Sequence, residues 1–231
     1  MVYRNIIFDF DGTLTDSRRD IAGAQVWALR QLGFSTHREE DLYPLIGKSL
    51  HETFARVLPE THHHRIPDAM KLYAEYYPPR ALQTTVLFPG VRETLVSLQA
   101  RGHRLAVAST KRGEGITRAT DHFGITGLFD RLQGSEGIPF KPAPDVILAI
   151  LSACAWDPAE TLMVGDTDAD VLAGRNAGVH TCAVTYGSLP REELLAHHPE
   201  YIISQISGLL PIVETGADRL TYPVSKERHA V

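Results

Sequence analysis

Asn5-Ile6-Ile7-Phe8-Asp9-Phe10-Asp11-Gly12-Thr13-Leu14-Thr15-Asp16-Ser17 is the stretch from which the fold follows. Ile6 to Phe8 has the character of a buried strand and is broken at once by two acids two residues apart. A carboxylate is costly inside an apolar sheet, so Asp9 and Asp11 are expected at the carboxyl end of the strand, where the sheet opens to solvent. In extended chain, residues two apart project to the same side. Two neighbouring carboxylates then stay ionised most readily around a hard, oxygen-ligated cation. Gly12 permits a tight turn, and Thr13 and Ser17 offer hydroxyls to a phosphate or a helix start. The plainer alternative is a strand end followed by an acidic turn. An EF-hand loop is excluded, because glycine stands fourth from Asp9 instead of sixth and position twelve is Asp20.

The composition narrows the class. A chain of 231 residues can bury a full core, as one large domain or one domain with an insertion. Its 43% hydrophobic and 22% charged residues are ordinary for a globular protein. A net charge of −5 without a basic block gives no sign of nucleic acid or an anionic membrane as partner. The most apolar charge-free runs, 146–156 and 201–213, are too short to span a bilayer. The first residues lead directly into a strand and lack a signal-peptide pattern. Cys154 and Cys182 have no metal-ligand spacing and read as thiols of a reducing, cytoplasmic environment.

Beyond Ser17 the apolar spacing becomes helical. Ser17 can cap a helix to about Leu32, stopped by Gly33. Thr36 with Glu39 and Ser49 with Glu52 match capping boxes for helices near 37–45 and 50–57. A further helix is expected from Pro67 to Tyr77, ended by Pro78-Pro79, and no strand pattern occurs before about Leu82. From Phe88-Pro89-Gly90 onward, strands near 104–109, 129–133, 161–164, 180–184 and 201–203 alternate with helices near 91–101, 115–123, 144–153, 168–177 and 190–197. This alternation implies an α/β fold, a Rossmann-like parallel sheet with helices on both faces, interrupted by an inserted all-helical unit. The expected organisation is a core of 1–16 and 83–213, a helical insertion of 17–82 and a loose polar tail of 214–231.

Such a sheet gathers functional groups at the carboxyl ends of its strands. Four of those ends carry polar groups of a consistent kind. The first supplies Asp9 and Asp11. The second closes with Ser109-Thr110-Lys111, whose hydroxyls and main-chain N–H groups precede a helix and suit an anion. Lys141 comes after the third, in Lys141-Pro142-Ala143-Pro144, at a proline-stiffened helix entrance. The fourth ends Gly165-Asp166-Thr167-Asp168-Ala169-Asp170. Singly, each has a plainer reading: Ser109-Thr110 as a helix cap, Lys141 as a solvated lysine, Asp166 to Asp170 as an acidic first turn favoured by the helix dipole. Together they describe one site, with carboxylates for a divalent metal and a cation and hydroxyls for phosphate. Gly113-Glu114-Gly115 is not a dinucleotide fingerprint, since Arg118 stands at the third glycine position, and His62-His63-His64 reads as a solvated turn.

Asp9-Phe10-Asp11-Gly12-Thr13, Ser109, Lys141-Pro142 and Gly165-Asp166 with Asp170 resemble, in that order, the four motifs of the haloacid dehalogenase superfamily, in its phosphatase branch. The resemblance covers about residues 3–210, and the helical insertion takes the place of the superfamily's first type of cap. Ile46-Gly47-Lys48-Ser49-Leu50-His51-Glu52-Thr53-Phe54 is similar to the cap loop and helix of phosphoglycolate phosphatases and their pyrophosphatase relatives, although Ser109-Thr110-Lys111 departs from the commoner Thr-Asn-Lys. The resemblance implies a Mg²⁺-dependent phosphatase of a small, phosphoglycolate-like metabolite, monomeric or homodimeric. It makes Asp9 the nucleophile that forms an aspartyl-phosphate and Asp11 the acid and base toward the leaving alcohol and water. Ser109, Thr110, Gly12 and Lys141 would bind phosphate. Mg²⁺ would be held by Asp9, Asp166 and the main-chain carbonyl of Asp11, and Asp170 would fix Lys141 or a water on the metal. Lys48, in a turn of the cap, is the candidate for choosing the leaving group. Asp11 argues against the dehalogenase and phosphonatase members, which lack this acid. A β-phosphoglucomutase-type phosphotransferase and a pyrophosphatase are the enzymatic alternatives, and a non-catalytic binding protein on the same fold is the alternative from another class.

Overall fold

In the first strand, β1 (Asn5–Phe8), Ile6 and Phe8 are buried on one face of a sheet and Ile7 on the other, so the strand reads as continuously apolar. The computed structural model describes residues 2–222. After β1 come β2 (Thr15–Asp16), α1 (Arg18–Gln31), α2 (Glu39–Leu42), α3 (Leu50–Val57), α4 (Ile66–Tyr76) and β3 (Val86–Leu87). The chain continues through α5 (Val91–Ala100), β4 (Arg104–Ala108), α6 (Gly113–His122), β5 (Arg131–Gln133), α7 (Asp145–Cys154) and β6 (Thr161–Gly165). It ends with α8 (Asp168–Asn176), β7 (His180–Val184), α9 (Arg191–Ala196), β8 (Tyr201–Ile203) and α10 (Leu209–Thr215).

Six strands form a parallel sheet in the order β5-β4-β1-β6-β7-β8, the Rossmann-like α/β architecture expected from the alternating pattern. Val91 and Leu95 of α5, Ile116 of α6 and Leu209 of α10 cover the face of Phe8, while Val146 and Ile150 of α7 and Ala173 of α8 cover the face of Ile7. Each such side chain taken fully out of water contributes about 1.5–3 kcal/mol. Phe8 pairs with Val107 of β4 on one side and Val164 of β6 on the other. Within two residues past these three positions come Asp9, Ser109 and Asp166, which therefore emerge side by side at the carboxyl ends of the inner strands.

The helices between β1 and β3 have an apolar centre of their own, in which Val26 and Leu29 of α1 meet Phe54 of α3 and Ala69 of α4. The chain enters and leaves this group through the antiparallel pair β2–β3, with Thr15 opposite Leu87. Beside that pair, the Asp20 carboxylate accepts the N–H and hydroxyl groups of both Thr84 and Thr85. Burial works against its charge, but these donors outweigh it and hold Asp20 below the usual carboxylate range.

Some local expectations give way. The helix near 37–45 is only α2 followed by a tighter turn through Tyr43-Pro44-Leu45, because Pro44 has no N–H to continue the ladder. Its cap is not Thr36: the Asp41 carboxylate accepts the Arg38 N–H at 2.9 Å. Ser49 does cap α3, accepting the Glu52 N–H at 3.1 Å. The short β2–β3 pair and α10 went unread in the sequence. Part of the expected loose tail is tied down: Leu220 N–H reaches Glu200 O and the Tyr222 hydroxyl reaches Pro199 O, each at 2.8 Å. Residues 223–231 lie outside the described residues. No helix among the described residues is long and apolar enough to cross a membrane.

Candidate active site

Asp9 leaves β1 with its N–H still on Val164 O at 2.8 Å, so the sheet fixes its backbone and it is only 2% exposed. Its Oδ1 accepts from Lys141 Nζ at 2.7 Å, while its Oδ2 receives no hydrogen bond among the described residues. The same Nζ donates to Asp170 Oδ1 at 2.5 Å and to Ala108 O at 3.1 Å, which uses all three ammonium donors. Asp170 Oδ2 is held by the N–H and hydroxyl of Thr167, the residue just before α8. Asp166 accepts from the Thr13 hydroxyl on Oδ1 at 3.0 Å and from the Ser188 N–H on Oδ2 at 2.7 Å. Gly12 makes this approach possible at φ +91°, since a Cβ there would lie 2.2 Å from Asp166 Oδ2.

Oxygens of Asp9, Asp166 and Asp170 lie within 4.8 Å of one another, and all three residues are buried. Burial pushes the Asp9 carboxyl well above its ordinary range; Lys141 opposes this, and Asp170 and Asp166 add to it. Asp166 is pushed up to about 6 by burial and then by Asp170, with Ser188 and Thr13 pulling the other way. Burial disfavours the Lys141 ammonium, yet Asp170 and Asp9 hold it protonated, above the usual lysine range. Three carboxylates against one ammonium leave the fully ionised cluster two negative charges in excess. A divalent cation with oxygen ligands matches that deficit, so the donor set fits the Mg²⁺ read from the sequence.

β1 ends at Phe8 and the chain turns through Gly12, and the carboxylate cluster is made by Asp9, Asp166 and Asp170 without the Asp11 side chain, whose expected part in the metal site is its main-chain carbonyl. The Asp11 carboxylate instead accepts from the Ser17 hydroxyl at 2.7 Å and meets Lys111 Nζ at 3.1 Å. Ser17 is the residue before α1, but it spends its hydroxyl on Asp11 and caps nothing. Ser109 is 1% exposed, and its Oγ accepts the Lys111 N–H at 3.2 Å, which leaves the hydroxyl proton free to donate; Thr110 stands half-buried beside it. Lys48 is drawn to Glu52 at 3.5 Å and to Asp168 at 3.9 Å, so the loop before α3 touches the start of α8. Gly47 lies there too, where a Cβ would come 3.2 Å from the Thr167 methyl.

Three groups escaped notice as individuals: Lys111, Tyr77 just after α4, and Ser188. Lys111 was visible only as the last residue of an anion-binding run. Nothing local marks Tyr77 or the Ser188 N–H, whose partners lie far along the chain.

The family model of the haloacid dehalogenase-like hydrolases matches residues 6–184. A pyrophosphatase PpaX of Bacillus velezensis is 30% identical over 90% of this chain and 94% of its own length. A phosphoglycolate phosphatase of Aquifex aeolicus is 30% identical over 91% and 97%. Among solved structures, a predicted phosphatase from Clostridium acetobutylicum superposes with a TM-score of 0.83 at 25% identity, covering 90% of this chain and 97% of that one.

Proposed function

Since the chain belongs to the haloacid dehalogenase-like hydrolase family and is a phosphatase, we propose that it hydrolyses a small phosphate monoester through an aspartyl-phosphate on Asp9. One observation carries this reading. The Asp9 carboxylate is buried at the switch point of the sheet with one oxygen fixed by Lys141 and the other free of hydrogen bonds. In the proposal, Oδ2 attacks phosphorus, the bond to the alcohol oxygen breaks, and Asp11 gives that oxygen a proton. Asp11 then takes a proton from the water that releases phosphate, so one hard hydrolysis becomes two easier steps. Ser109 Oγ and the Thr110 N–H bind phosphoryl oxygens beside Gly12, and Lys141 neutralises charge on the nucleophile and the phosphoryl group while Asp170 holds it in place. Asp9, Asp166 and the main-chain carbonyl of Asp11 would hold Mg²⁺, which supplies charge neutralisation at the phosphoryl oxygens. We propose residues 17–82 as the cap over this cleft, excluding water during transfer.

Hydrolysis of an aryl phosphate and a panel of phosphorylated metabolites tests the proposal. Activity is expected to vanish in excess chelator, return with Mg²⁺ and fall when Ca²⁺, larger and richer in ligands, replaces it. Full activity in chelator would refute the metal site. A pH dependence accompanies it. Asp166 at about 6 lies above the unfolded carboxyl value, so its contribution favours folding at low pH and is lost as pH rises through 6. Bound Mg²⁺ removes that loss, so its thermal stabilisation should be larger at pH 8 than at pH 5.

The named relatives divide between a phosphoglycolate phosphatase and a pyrophosphatase. Carried to this chain, the two names share one chemical property, since the group left behind, glycolate or phosphate, is itself anionic. Lys48 is proposed to meet that group from the cap. Lys48→Ala should lower kcat/KM for the best metabolite by roughly tenfold, about 1.4 kcal/mol, and lower it less for the aryl phosphate. Equal losses on both would make Lys48 a clamp between the cap loop and Asp168.

A further inference from the structure

Lys111 is a largely buried cation beside Asp11 that the reading above leaves without a task. It stands two residues past Ser109, is 12% exposed, and has its ammonium 3.1 Å from Asp11 Oδ2. A second donor goes to the Tyr77 hydroxyl at 2.8 Å, and the third has no partner among the described residues. Burial disfavours this charge, but Asp11 and Tyr77 hold it protonated, above the usual lysine range. Tyr77 is itself held in place by stacking on Tyr73 one helical turn earlier, with ring centroids 5.0 Å apart and planes 15° apart. Asp11, Ser17, Tyr77, Thr85, Lys111 and Arg118 are among the residues lining one small cavity. A buried ion pair seldom justifies itself by stability, because desolvation cancels most of the attraction.

We propose that Lys111 and the Tyr77 hydroxyl form the anion subsite for the leaving group. The substrates are then phosphate esters or anhydrides whose departing part bears a second negative group close to the breaking bond. The inference rests on Asp11 being the acid that serves the departing oxygen. That oxygen must lie within about 3 Å of the Asp11 carboxylate, and an anion on the open Lys111 donor lies about 3 Å from Nζ. With both on the same face of the 3.1 Å ion pair, a link of one or two atoms spans them, as in a 2-phosphooxy carboxylate or a pyrophosphate. A neutral sugar phosphate leaves the ammonium with nothing to replace its tie to Asp11. Because Lys111 extends from the core and Tyr77 from the helical insertion, the bound anion would also join the two.

The test compares kcat/KM on 2-phosphoglycolate and on 2-hydroxyethyl phosphate, which has nearly the same shape without the charge. Wild type is expected to prefer phosphoglycolate at least tenfold, and Lys111→Met to reduce that preference at least tenfold. Tyr77→Phe should reduce it by a smaller factor. A preference unchanged in Lys111→Met would overturn the proposal. A measurement on the unmodified protein guards against a variant that does not fold: glycolate should inhibit aryl phosphate hydrolysis competitively, at concentrations where ethylene glycol does not. Equal inhibition by both, or by neither, overturns the subsite while leaving the phosphatase standing. No aryl phosphate turnover with Mg²⁺ present would bring down both readings.

Discussion

Asp9→Asn is expected to fold as well as the parent protein and to lose turnover by about three orders of magnitude or more. Asparagine keeps the shape of the side chain, so Lys141 still finds Ala108 O and Asp170 Oδ1. What disappears is the oxygen anion at Oδ2, the atom proposed to attack phosphorus. Burial already penalises the charged form of Asp9, so removing that charge should leave Tm unchanged or raise it. The pairing of a stable fold with a dead enzyme is the signature, read from thermal unfolding and kcat together. A beryllium fluoride adduct should form on Asp9 of the parent and be absent from the variant. Near-parental turnover in Asp9→Asn would end the covalent mechanism.

Lys141→Met should show the opposite stability. Methionine fills similar space but takes away the ammonium that meets Asp9 and Asp170. Removing one member of a buried ion pair costs about 3–5 kcal/mol, because the remaining charge stays out of water. At about 2–4 °C per kcal/mol for a chain of this size, the drop in Tm is easily seen. The sign with pH follows from the raised lysine: its stabilisation is complete below the unfolded lysine pKa and is lost only as pH rises through the higher folded value. The deficit of Lys141→Met should therefore be full at neutral pH. Adding Asp170→Asn to Lys141→Met should recover part of the Tm without recovering kcat. If Lys141→Met unfolds at the parental temperature, the lysine is not balancing the cluster.

The acids were legible because a strand cannot hide a carboxylate cheaply. Asp9 after Ile6-Ile7-Phe8 and Asp166 after Leu162-Met163-Val164 each mark where a buried strand stops. Helices were legible where spacing or a cap was local, as with Ser49 and Glu52. Thr36 misled because the capping pattern was present while a better acceptor, Asp41, stood nearby. The direction of Asp11 was not legible, since it depends on a turn at Gly12 and on Lys111, a hundred positions further along the chain. Lys111 showed only as the end of the Ser109-Thr110-Lys111 run, because its tie to Tyr77 depends on another part of the fold.

Three glycines bound the carboxylate cluster. A Cβ at Gly12 or Gly187 would come within 2.3 Å of Asp166 atoms, and one at Gly165 would lie 2.2 Å from Asp170 Cγ. The acids are therefore moulded against bare main chain on one side, while Thr13, Lys141 and Thr167 hold them by hydrogen bonds on the other. A methyl group at any of the three would have to displace a carboxylate, so Gly12, Gly165 and Gly187 tolerate no side chain while the acids keep these directions.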